Sequence, residues 1–148
     1  MQKKSPEATL CLHGAVVMFA AFFSGGMIGM VAVGQVEGSI DGWKLAHMEP
    51  LINAIVLFAI AGCLSKLVLT RTQLNVIVYC LVGMAYSNTV FGYMRAITGA
   101  LGYEFDDSLA NNVATFAGML GVPLAMIAFA LILVGAMRAR RVKQPQIG

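Results

Sequence analysis

The stretch GWKLAHMEPLINAIVLFAIAGCL, residues 42–64, starts in a polar loop and runs on as hydrocarbon from about Ala46 to Leu64. Its apolar part approaches the ~20 residues that a helix needs to cross about 30 Å of bilayer interior. His47 and Asn53 are carried in with it. Polar and ionisable groups are costly there, so a side chain of either kind is by default a functional candidate.

Three further runs have the same character: about Leu10 to Val33, Thr72 to Met94 and Leu109 to Met137. With 59% of residues apolar and only 11% charged, the chain reads as an all-α integral membrane protein. The expectation is a single four-transmembrane-helix bundle over residues 1–148, with short tails and no internal repeat. The first run is longer than the 7–15 residues of a signal-peptide core and has no small-x-small cleavage site behind it, so it is kept as a true first helix.

Lys3, Lys4, Lys66, Arg71, Arg138, Arg140, Arg141 and Lys143 fall on the side shared by both termini and the middle loop; Lys44 and Arg95 fall on the other. The positive-inside rule then puts both termini in the cytoplasm and assigns Glu37, Asp41, Glu49, Glu104, Asp106 and Asp107 to the two outer loops. The net charge of +3 flanks helices and forms no long basic tract, so no nucleic-acid partner is expected. Cys11, Cys63 and Cys80 are odd in number and sit in or beside apolar runs, which suits small packing residues better than a disulfide framework.

Gly25 and Gly29 form a G-x-x-x-G in the first helix, and Ala117 and Gly121 repeat small-x-x-x-small in the fourth, the spacing that lets membrane helices approach closely. Pro123 is expected to kink the fourth helix and open space in the bundle. The rise per residue puts Asn53 and Asn88 each about 9 Å below the outer ends of their helices, at one level. His47, Tyr86, Tyr93, Asn111, Asn112 and Thr115 share that outer half, flanked by Lys44 and Arg95, and a polar cluster at one depth of an apolar bundle suggests a pocket.

Each member also has a plainer reading. Trp43 suits an interfacial belt. The asparagines suit interhelical hydrogen bonds. Tyr79, Tyr86 and Tyr93 recur every seven residues, as a packing stripe does, and His47 alone suits a metal ligand, a general base or an interface histidine. His13 lies near the cytoplasmic end of helix 1 and His47 near the outer end of helix 2, so roughly a membrane thickness separates them. Two imidazoles on one haem are only about 4 Å apart through the iron, so any haem bound here should be five-coordinate. There is no C-x-x-C-H for covalent attachment.

The combination Gly42-Trp43, Ala46-His47, Pro50 and Asn53, with His13-Gly14 in helix 1 and Asn88 in helix 3, resembles the signature of the styrene oxide isomerases. These are small four-helix membrane enzymes of bacterial aromatic degradation. The resemblance spans most of helices 1 to 3; helix 4 matches in hydrophobicity only.

That resemblance implies haem b with His47 as the axial ligand to its iron, Trp43 and Asn88 near the cofactor, and a homotrimer with haem near the subunit interfaces in the bacterial inner membrane. It implies a small apolar epoxide as substrate, rearranged to an aldehyde by Lewis-acid polarisation and a 1,2-hydride shift. Asn53 is expected to orient the epoxide. The family's helix 3 tyrosine, four residues after the asparagine, falls on Gly92; Tyr93 is the nearest stand-in. Given a haem, at least one of Lys44 and Arg95, the only cations on the outer side, is expected to pair with a propionate. Rival readings are a haem-binding membrane protein without isomerase activity, in sensing or haem handling, and a packing or transport subunit without haem.

Overall fold

The computed structural model describes residues 5–142, so Lys3, Lys4 and Lys143, used above for orientation, lie outside the described residues. Four helices follow one another: α1 (Pro6–Ala32), α2 (Ile40–Cys63), α3 (Arg71–Thr98) and α4 (Leu109–Val142), with a short 3-10 turn at Leu64–Lys66. All four are long and apolar enough to cross a membrane, and among the described residues there is no strand. The protein is a multi-pass, all-α membrane bundle.

Local chemistry sets the helix ends. Ser5 caps α1 with Pro6 in its first turn, and Ser39 caps α2 by accepting from the Gly42 amide. Thr70 and Gln73 form a reciprocal capping box on α3, which Gly99 closes in the left-handed conformation at φ 70°. The Ser39 cap starts α2 six residues before the expected Ala46, so Asp41, Trp43 and Lys44 are helical. Glu49, expected in a loop, instead lies well inside the membrane-crossing helix.

Each helix packs on the next in sequence, and α1 also touches α3. Leu10, Val17, Leu57, Leu64, Ile77 and Leu81 form the centre of the main core. At the other end, α2 and α3 come together on small residues: a methyl on Gly42 would stand 3.1 Å from the Ala96 Cα, and one on Gly92 would stand 3.1 Å from the Ala46 Cα. Two hydrogen bonds set the register of α1 against α3. The His13 and Tyr86 side chains meet at 3.0 Å, and Tyr93 Oη donates to the Ala20 carbonyl at 2.6 Å. Both pairs are 73 residues apart, so the parallel helices advance together by one heptad. Helix α4 continues through Pro123 without interruption.

Candidate functional site

His47 projects from α2 onto α1. Its Nδ1 lies 2.8 Å from the carbonyl oxygen of Ala21. A carbonyl only accepts, so the neutral imidazole carries its proton on Nδ1 and leaves the lone pair on Nε2. Gly25 makes the approach possible: a methyl there would stand 3.1 Å from Nδ1 and 3.2 Å from Cε1. Gly29 has open space, so only the first glycine of the G-x-x-x-G is in close contact within the chain, and what it admits is an imidazole ring.

Tyr93 comes to the same turn of α1 from α3. Its ring stacks on Phe23 at 6.5 Å between centroids and takes the Trp43 indole edge-on at 6.0 Å. Trp43 is only 6% exposed and packs with Ala46 and Ala96, so in this chain it is a wedge among helices and not a residue of an exposed belt.

Asn53 and Asn88 meet, as their common depth predicts. Asn88 Nδ2 donates to Asn53 Oδ1 at 3.3 Å, and Asn53 Nδ2 donates to the Glu49 carbonyl at 2.7 Å. A side chain at Gly121 would collide with Asn88 Oδ1, so the second glycine of the α4 pattern admits an amide. The observed helix ends put Asn53 about 20 Å from the start of α2 and Asn88 about 15 Å from the end of α3, deeper than the 9 Å expected. Within one chain His47 faces α1 while Asn53 faces α3.

The remaining polar residues separate from this group. Asn111, Asn112 and Thr115 brace the α3–α4 loop through the backbone of Gly102, Glu104 and Asp106. They do not join the expected pocket, because the loop's own amides and carbonyls need partners at that depth. Lys44 pairs with Asp41 at 3.1 Å, and Arg95 lies over the Phe91 and Tyr103 rings and donates to the Tyr103 hydroxyl at 2.9 Å. Both cations stand at the end of the bundle where α2 begins.

His13 is nearer to His47 than a membrane thickness. His47 ends on Ala21, eight residues beyond His13, which is about 12 Å along α1. The difference arises because α2 starts early, at Ile40, which carries His47 deeper. About 12 Å still exceeds the gap that one iron bridges between two imidazoles. Sequence reasoning missed Glu49, which among the described residues is the one carboxylate in a spanning helix more than a turn from its end. Its place three residues inside the apolar run that begins at about Ala46 was the available signal, and the Ser39 cap ten residues upstream strengthens it.

Among the described residues no three of His, Cys, Asp and Glu converge as a metal cage. The donor set instead offers one oriented imidazole in an apolar setting, within the stretch of α2 from Trp43 through Ala46 and Pro50 to Asn53 that carries the resemblance. The family model for styrene oxide isomerase matches residues 7–137.

The chain belongs to the styrene oxide isomerase family.

Among curated proteins, none matches the chain. Membership of the styrene oxide isomerase family makes an isomerase of that type the function to explain, and the match runs into α4 as far as residue 137, beyond the three helices legible from motifs. The departure at Gly92 has a structural correlate. A methyl there would stand 3.1 Å from the Ala46 Cα and 3.4 Å from the Leu45 carbonyl oxygen, so this member of the styrene oxide isomerase family packs α2 closely on α3 where the resemblance expects a tyrosine.

Proposed function

We propose that the protein holds haem b through His47 Nε2 and isomerises an aryl epoxide of the styrene oxide type to the corresponding aldehyde. The observation that carries this reading is the 2.8 Å contact of His47 Nδ1 with the Ala21 carbonyl. A backbone carbonyl on one ring nitrogen fixes tautomer and orientation and raises the basicity of the other, which is how ligating histidines are commonly held. Ferric haem, when bound, supplies a Lewis acid for opening the epoxide, and the 1,2-hydride shift that follows needs no net electron and no water.

The chain's own residues supply position and dryness. Gly25 leaves the volume that the imidazole fills, and α1 fixes the ring plane. Phe22, Phe23, Met48 and Ile52 are exposed apolar side chains on the helices that carry this site. Such surroundings protect a cation-like intermediate from water and from hydrolysis to a diol. Asn53 remains the residue proposed to orient the epoxide, and its amide is shared with Asn88 in the single chain. Tyr93 is proposed at the same site through its position beside Trp43 and the His47 turn of α1.

His47 is only half-buried in one chain, which supports a trimer with haem near the subunit boundaries. The proposed setting is the bacterial inner membrane, with both termini in the cytoplasm. The test is conversion of styrene oxide to phenylacetaldehyde by detergent-purified protein, with and without His47→Ala. Turnover that persists in the variant refutes the ligand role, and a haem-loaded wild type that leaves the epoxide unchanged favours haem sensing or handling.

A further inference from the structure

Ser24 is fully buried, at 0% exposure. Its Oγ lies 3.0 Å from the Ala20 carbonyl oxygen and 2.9 Å from that of Ala21. These are the two carbonyls that receive Tyr93 and His47, at 2.6 Å and 2.8 Å. A serine hydroxyl has one proton, so it donates to one of the two at a time. Each carbonyl oxygen has two lone pairs, and in an α-helix the amide four residues ahead takes one of them. One position is left on Ala21, and Ser24 and His47 compete for it.

We propose that Ser24 is a positioning residue that sets the strength of the His47 Nδ1–H bond to Ala21, and through it the donor strength of Nε2. The consequence for iron rests on the haem reading above; the hydrogen-bond competition does not. When the Ser24 proton turns to Ala21 it weakens that oxygen as an acceptor for His47. When it turns to Ala20, His47 has the remaining position on Ala21 to itself, and a firmer Nδ1–H bond makes Nε2 the more basic ligand. Tyr93 occupies Ala20, so losing its hydroxyl draws the serine there. Ser24 thereby links the state of Tyr93 to the electronics of His47.

A buried serine that merely back-bonds in its own helix bends or slightly destabilises that helix and leaves the imidazole unchanged. The experiment must therefore read the imidazole. Protein with 15N-labelled histidine is placed in lipid nanodiscs as wild type, Ser24→Ala, Ser24→Thr and Tyr93→Phe. The His47 Nδ1 proton is followed by NMR in haem-free protein, and the ferric/ferrous midpoint potential is measured after haem loading. In Ser24→Ala the Nδ1 proton moves downfield and the potential falls; Tyr93→Phe shifts both the same way, and Ser24→Thr stays near wild type. A Nδ1 proton unmoved in Ser24→Ala overturns the proposal, as does an unmoved potential in haem-loaded protein. A wild type that takes up no haem overturns the haem reading instead, and the proton shift alone then decides the role of Ser24.

Discussion

His47 and Tyr93, from two different helices, end on consecutive carbonyls of α1: Nδ1 on Ala21 at 2.8 Å and Oη on Ala20 at 2.6 Å. Helix α1 is therefore the reference against which α2 and α3 set their polar side chains. A slide of α1 along the bundle would move both at once.

Tyr93→Phe removes one of those bonds and keeps the ring contacts with Phe23 and Trp43. The expected loss of stability is about 1 kcal/mol, typical of one hydrogen bond. If Tyr93 also serves the substrate, epoxide turnover falls by more than this loss explains, as measured by initial rates on folded protein. Wild-type kinetics in the variant would remove Tyr93 from the site.

Gly25→Ala and Gly29→Ala give opposite outcomes from the same chemical change. Alanine gains up to about 1 kcal/mol over glycine in a helix interior, and Gly29 has open space for a methyl, so Gly29→Ala is expected to be neutral or stabilising within the chain. At Gly25 the methyl meets His47, so haem retention after size-exclusion chromatography is expected to fall severalfold although the helix is intact. Equal retention in the two variants contradicts the account of the cradle.

The sequence made the helices legible because hydrocarbon runs of spanning length have few other solutions, and it made the Asn53–Asn88 pair legible because depth follows from rise per residue. Side-chain direction was not legible. Nothing in the pattern shows that Gly25 faces an imidazole while Gly29 faces open space, or that Asn111 and Asn112 turn to the loop backbone. Glu49 was misplaced because its charge assigned it to an outer loop although the apolar run from about Ala46 already enclosed it, and the Ser39 cap carries the helix start further upstream still.

Asn53 and Asn88 are expected to show measurable coupling. In a double-mutant cycle with Asn53→Ala and Asn88→Ala, the interaction is expected at roughly 0.6 kcal/mol, as for membrane interhelical hydrogen bonds. Gly121→Ala displaces the Asn88 amide and should weaken the same coupling. Strictly additive single-mutant losses in reversible unfolding contradict the pair.

Lys44 and Arg95 carry the propionate proposal. The Lys44–Asp41 pair is exposed on both sides, 60% and 90%, so Lys44→Ala should cost little stability. Combined with Arg95→Ala it is expected to lower haem retention at unchanged folding. Occupancy equal to wild type in the double variant rejects both residues as propionate partners.

Whether His47 Nε2 holds the haem iron is read from the visible spectrum of purified wild type beside His47→Ala. A Soret band in the wild type that is lost in the variant is the predicted result. A Soret band of equal intensity in both, or a wild type that stays colourless after haem is supplied, contradicts it.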